Sequence, residues 1–361
     1  MKCLNWFPIV VTLGMITTPI SVSATDYTFT TLDAPACGRV GTELLGINNE
    51  GYIVGGCSYS FIYFNGTFTP LDFPLSPAGG ATGGINDVGQ IVGLFSNSTG
   101  THGFLDTNGN FTTIDDPDAT VTTFGTTATE AYGINNKGQI VGIYLGPGYW
   151  KSFLYTAGRF TTLADPVAVF NPGPPDSGGI PFSGGGTFAT GINNSGQTVG
   201  YYFDSAGAFN GFVYTNGSFT TIDEPSAPGG TFGSGTIAFG INDWGEIVGA
   251  YYDVAGARHG FLYINGTFTT IDYPGSNYTT LNGINNARQI VGSFVDNANV
   301  AHGFLAEHVQ SFAGTPGKAN CHGKSVSALA QQYGGLNGAA ATLGFPGVPA
   351  LQAAILTFCG G

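Results

Sequence analysis

Short runs of aromatic and β-branched residues, separated by Gly, Asn and Thr, fill most of this chain. The clearest stretch runs from Gly260 to Asp272: Gly-Phe-Leu-Tyr-Ile, then Asn265-Gly266, then Thr-Phe-Thr-Thr-Ile-Asp. Asn-Gly readily takes the positive φ of a type I′ turn, so two such runs around it predict an antiparallel hairpin. The Thr-Thr pairs set between Phe and Ile suit a strand with one face buried.

The pattern repeats. Gly-Ile-Asn recurs at Gly46, Gly84, Gly133, Gly191, Gly240 and Gly283, followed by a run such as Gln139-Ile140-Val141-Gly142-Ile143-Tyr144 and then by the hairpin. The residue before Phe in the hairpin (Ser60, Gly103, Ser152, Gly211, Gly260) precedes the last strand position (Asp72, Asp115, Ala164, Asp223, Asp272) by 12 residues in every copy. That constancy predicts a fixed register imposed by a two-residue turn. Length varies instead in the connection to the next Gly-Ile-Asn, which is longest between Asp165 and Thr190. Six copies predict six structural units of about four strands each.

The ends predict closure. The sixth unit reaches His302-Gly303-Phe304-Leu305 and lacks its Phe-Thr-Thr-Ile-Asp strand, while Phe29-Thr30-Thr31-Leu32-Asp33 stands alone at the start. A ring of four-stranded blades whose N-terminal strand completes the last blade accounts for both facts and leaves no open edge. The expected fold is all-β, a six-bladed β-propeller over residues 25–312, with inter-blade crossovers opening on one face. The Gly of Ile-Val-Gly is read as the point where adjacent sheets approach closely. The Asp positions ending each hairpin, and the Asn or Asp pair after Gly-Ile, are read as local Asx turns.

On these residues the units resemble the HAF family of probable extracellular repeats, whose pattern joins Gly-Ile-Asn-Asn-x-Gly-Gln-x-Val-Gly to His-Ala-Phe-Leu and an Asn-Gly turn. This sequence departs at the namesake tripeptide: it has His-Gly-Phe at His102, His259 and His302, and Ser60, Ser152 and Asn210 replace the His elsewhere. The resemblance implies an exported repeat protein and transfers no catalytic residue.

Composition narrows the partners. Apolar residues make 42% and charged residues only 9%, and the 60 Gly lack a three-residue period, which excludes disorder and collagen. Nine Lys and Arg against 22 Asp and Glu give −13, so no basic face exists for nucleic acid. Residues 1–24, with Lys2, an apolar stretch and Val22-Ser23-Ala24, read as a secretory signal peptide, and no later segment is apolar enough to span a membrane. Export to the periplasm or beyond permits disulfides. Four Cys allow three pairings, of which Cys37 with Cys57 and Cys321 with Cys359 join neighbours and are expected. Residues 313–361 leave the repeat and predict a disulfide-clasped hairpin of two helices, with Ser325 capping the first and Pro349 opening the second.

No metalloprotease, Gly-x-Ser-x-Gly or Walker pattern occurs, and no cofactor is expected. His102, His259 and His302 occupy equivalent positions, but half the units lack them, which argues against a metal ring. Candidate contact residues are the aromatics Phe170, Phe182 and Phe188, placed on the long fourth crossover, and Tyr149 and Trp150 on the preceding loop of the same face, together with Asp204, Asp253 and Asp296 on loops of that face. Aromatic loops suit sugar rings or a protein partner. The expected function is an exported, non-catalytic protein that binds a carbohydrate or protein on the crossover face. The alternatives are a polysaccharide hydrolase or lyase using the three loop carboxylates, and a structural component of an extracellular matrix or envelope.

Overall fold

The computed structural model describes residues 26–35, 37–38, 41–73, 76, 79–120, 127–147, 149–165, 168, 186–230, 233–309, 317–332, 335–343, 345 and 347–360. Each repeat folds as an antiparallel meander. In the fifth, strands Thr236–Ile241, Ile247–Tyr252, Arg258–Ile264 and Thr267–Thr270 lie side by side in chain order. Its last turn has φ of 48° at Asn265 and 89° at Gly266, the left-handed pair that the sequence required. The third copy forces Ala157 into the same position at φ 49°.

The strands make four four-stranded sheets and one eight-stranded sheet. The larger sheet joins two meanders through a short parallel pairing of Thr127 and Ala128 with Gly100 and Thr101. The chain closes as expected: Tyr27–Thr31 pairs antiparallel with Ala301–His308, from Tyr27 opposite His308 to Thr31 opposite Phe304. The protein is an all-β propeller with a small helical C-terminal part.

Adjacent sheets share cores rather than keeping separate ones. Phe61, Phe104, Phe153, Phe212, Phe261 and Phe304, the equivalent Phe of the six third strands, are fully buried. The Val of Ile-Val-Gly, or of Thr198-Val199-Gly200 in the fourth repeat, packs into the next sheet's core, Val199 against Ala238, Ile247 and Phe261, and Val248 against Leu281, Ile290 and Phe304. Val291 of the last repeat packs with Leu44, Ile53 and Phe61 of the first, so burial runs continuously through the closure. Fully burying each of these side chains contributes about 1.5–3 kcal/mol.

Two kinds of glycine make this geometry possible, and one was misassigned from sequence. A Cβ on Gly200 of the Ile-Val-Gly position would lie 1.9 Å from the Phe188 carbonyl oxygen, and on Gly93 it would lie 2.0 Å from that of Ala81. Both clashes fall inside one sheet, against its own inner strand. The approach between sheets belongs instead to the Gly of Gly-Ile-Asn: a Cβ on Gly46 would sit 3.3 Å from the Gly84 Cα, and one on Gly283 3.2 Å from the Gly46 Cα. Contacts of this kind link the inner strands in a closed circle.

Both disulfides pair neighbours, Cys37 with Cys57 and Cys321 with Cys359, each with Cα atoms 5.6 Å apart. The tail has three helices, α1 (Cys321–Gln332), α2 (Leu336–Thr342) and α3 (Val348–Gly360), where two were expected. Helix α1 starts four residues before Ser325, which is buried inside it and is not its cap. Pro349 does lie in the first turn of α3. Leu329, Ala339, Ala340, Leu351 and Ile355 form a core of the tail's own. No helix among the described residues is long and apolar enough to cross a membrane.

Candidate functional site

Every inner strand carries a register shift immediately before its Gly-Ile-Asn glycine, as between Ala131 and Gly133 or Ala238 and Gly240. A β-bulge adds an unpaired residue and re-aims its side chain. The bulged residues are Leu45, Gly83, Tyr132, Thr190, Phe239 and Asn282, a different residue type in each repeat. All six line one cavity of about 360 Å³ at the end of the central channel where the crossovers enter. Phe188 and Tyr201 complete its aromatic wall, stacked nearly parallel at 4.9 Å with 3° between ring planes.

Below this mouth the glycines pinch the channel to a cavity of about 90 Å³. The far end is polar and encloses about 70 Å³. There Asn48, Asn86, Asn135, Asn193, Asn242 and Asn285 each donate Nδ2–H to the main-chain oxygen of the equivalent Asn in the next repeat, Asn285 returning to Asn48. A second circle follows, in which the N–H of Asn49, Asp87, Asn136, Asn194, Asp243 and Asn286 each donates to the next one's Oδ1. The first Asn of each pair does form the expected Asx turn, Asn48 Oδ1 accepting from Glu50 and Tyr52. The sequence did not reveal that the same side chains lace the repeats together.

A carboxyl and a guanidinium stand behind two of the rings that line the mouth. Glu130 Oε2 accepts a hydrogen bond from the Tyr132 hydroxyl, and burial pushes the Glu130 carboxyl above the ordinary range although that bond opposes the shift. Burial also raises Tyr201, against the nearby charge of Arg258. The Arg258 guanidinium lies 5.3 Å, 5.5 Å and 5.7 Å from the ring centroids of Tyr278, Tyr252 and Phe239, and Nη1–H donates to the Tyr278 hydroxyl at 2.9 Å.

The residues singled out from sequence scatter differently. Phe188 is in the inner strand Thr187–Ile192 and forms cavity wall; it is not a crossover residue. Tyr149 is 37% exposed, with Lys151 Nζ 5.2 Å from its ring centroid, and Trp150 opens the strand Trp150–Thr156 half-buried. Phe170 and Phe182 lie outside the described residues.

Asp204, Asp253 and Asp296 do not gather into a cluster. Each Oδ1 accepts two N–H groups of its own turn, from Ala206 and Ala208, Ala255 and Ala257, and Ala298 and Val300. No group of three His, Cys, Asp or Glu among the described residues is placed to hold a metal.

Three of the five hairpin-ending carboxylates, Asp33, Asp115 and Asp272, turn out to be histidine partners, which corrects their reading as Asx turns. His102 Nδ1 lies 2.9 Å from Asp115 Oδ2, and His259 Nδ1 lies 2.7 Å from Asp272 Oδ2. Across the closure, His302 Nδ1 lies 2.8 Å from Asp33 Oδ2. The Nε2 atoms of His259 and His302 face Asp253 and Asp296 at 3.4 Å.

Burial disfavours the charged form of His259 and His302, but the hydrogen bonds and charges of the paired carboxylates outweigh it and raise both imidazoles. Turn N–H groups, with those of Ala257 and Val300 foremost, lower Asp253 and Asp296. The histidine contribution to stability is therefore full below its unfolded pKa of about 6.5 and fades as pH rises through the raised folded value. The carboxylate contribution is present above about 3.9 and fades as pH falls through the lowered one. A double His259→Gln, His302→Gln variant should melt below the parent at about pH 5.5, with the gap narrowing by about pH 8.5. A pH-independent gap in Tm would show that the imidazoles are not charged in the fold.

No family model matches the sequence, and no curated protein matches it, so the HAF resemblance rests on the repeat motif alone. Similar solved structures include AofleA from Arthrobotrys oligospora, 10% identical at a TM-score of 0.45 over 77% of this chain and 86% of that one. Aleuria aurantia lectin in complex with Fucα1-6GlcNAc is 12% identical at 0.43 over 73% and 91%. TolB from Acinetobacter baumannii is 10% identical at 0.43 over 74% and 63%. Likeness at this level carries no functional argument.

Proposed function

We propose that this protein is an exported, non-catalytic β-propeller of six blades, the eight-stranded sheet counting as two, that binds a saccharide at the aromatic mouth of its channel. The observation that carries the reading is the convergence of six variable bulge residues, set in otherwise constant repeats, on one cavity with Phe188 and Tyr201. Its volume, about 360 Å³, is within the range of small-molecule sites. Flat rings beside Thr190, Asn282 and the Glu130–Tyr132 pair offer both the apolar face and the hydrogen-bonding groups that a sugar presents. The disulfides and the signal-like start support export to the periplasm or medium. Against the hydrolase reading, its three carboxylates are held in separate turns.

A glycan array should therefore show binding, and Tyr201→Ala should weaken the best glycan about tenfold, the loss expected for one stacking ring. A blank array, or an unchanged Kd in Tyr201→Ala with native circular dichroism, would overturn the assignment.

A further inference from the structure

The chain has nine Lys and Arg, and the two arginines in its core region are treated very differently. Arg288 is neutralised by Glu246. Arg258, in a protein of net charge −13, meets no carboxylate among the described residues. Among the described residues its buried Nε–H meets no acceptor, and only Nη1 has a hydrogen bond, to the Tyr278 hydroxyl. Three aromatic rings hold the guanidinium in place, and one of them, Phe239, is also a wall of the channel mouth. Tyr201, another residue of the cavity wall, lies near enough to feel that charge.

A guanidinium fixed by stacking, partly desolvated and without a counter-charge is an incomplete carboxylate site: the missing member is a planar anion able to take its remaining donors. The strongly negative net charge sets a second condition, because a polyanion approaching this protein is repelled over the whole surface whereas one carboxylate is attracted by the local cation.

Resting on the saccharide reading above, we propose that the ligand is an acidic sugar bearing a single carboxylate, a uronic acid at the end of an otherwise neutral glycan, with its ring on the aromatic wall and its carboxylate on Arg258.

The test is calorimetry of the full-length protein with a disaccharide ending in glucuronic acid and with the methyl ester of the same disaccharide, which is neutral and nearly the same shape. The free acid should bind at least tenfold more tightly, the value of one charge-assisted pair. Arg258→Gln should erase that preference, and Arg258→Lys should keep part of it, since a point charge lacks the planar fork. Equal affinity for acid and ester, or a preference that survives in Arg258→Gln, overturns this inference and leaves saccharide binding standing. Binding of neither the disaccharides nor any glycan on an array overturns both. The acid-to-ester ratio is measured on the unsubstituted protein, so the result does not depend on the variants folding.

Discussion

Replacing Arg288 by Ala is expected to cost the propeller about 3–5 kcal/mol, the penalty for leaving one member of a buried ion pair alone. Arg288 and Glu246 are 3% and 4% exposed, in adjacent repeats, and Arg288 donates Nε–H to Glu246 Oε1 at 2.9 Å. The other carboxylate oxygen, Oε2, accepts from Asn242 Nδ2 at 2.7 Å. Four other repeats place Gln at the position of Glu246, and the equivalent Asn donates to its Oε1, as Asn193 does to Gln197 at 2.9 Å. The constant arrangement is thus neutral, and this one junction has converted it to a charged pair. Arg288 also stands where most repeats have Gly and adopts the same left-handed backbone, with φ 58°.

The cycle separates charge from packing. Adding Glu246→Gln to Arg288→Ala should recover most of the loss, because the Asn242 bond survives and no charge remains buried. Glu246→Gln alone should be destabilising, since the guanidinium is then the orphan. Urea midpoints at constant m-value measure each step. Losses below about 1 kcal/mol for both single variants, the worth of an exposed pair, would mean that the pair is hydrated in solution.

That junction shows how the fold could be read while the site could not. Self-comparison finds what is constant: Gly-Ile-Asn, the hairpin spacing, the Asn-Gly turn and the displaced first strand were enough for the meanders, the closure and the neighbouring disulfides. A ligand site built on repeats is found in what varies between constant residues. Leu45, Gly83, Tyr132, Thr190, Phe239 and Asn282 precede the Gly-Ile-Asn glycine in the six copies, and their difference from one another was the available signal. Reading them as cavity wall requires the bulge that turns them inward, and no residue type announces it.

Phe188 was associated with the crossover because the long Gly- and Pro-rich stretch hides where the inner strand begins. The His–Asp pairs escaped for a different reason: the partners are 13 residues apart in two repeats and 269 apart at the closure, and only strand pairing brings His302 to Asp33. Helix α2 is short and Ala-rich, too weak a pattern to separate from a loop.

Deleting residues up to Gly38 should abolish cooperative folding altogether. The strand Ala301–His308 would become an exposed edge, losing the ladder from Tyr27 to Thr31 and the bond from Leu32 N–H to the Gly303 oxygen at 2.8 Å. Tyr27 and Leu32 are both buried, and removing them forfeits about 1.5–3 kcal/mol each. Phe29, packed on Phe304 and Tyr273 at 5.6 Å and 5.5 Å, and the Asp33–His302 pair are lost with them. Against a total stability of about 5–15 kcal/mol, the sum leaves little.

The decisive arm is complementation. A synthetic peptide of residues 25–38 carries the whole strand and Cys37, whose partner Cys57 remains in the truncated chain. Supplied in trans under oxidising conditions, it should become disulfide-linked, dock beside Ala301–His308 and restore a single sharp thermal transition, while a scrambled peptide with the same Cys should link without restoring it. A truncated chain that melts cooperatively on its own would show that the ring is held by the contacts of its inner strands, and that the displaced strand merely covers an edge.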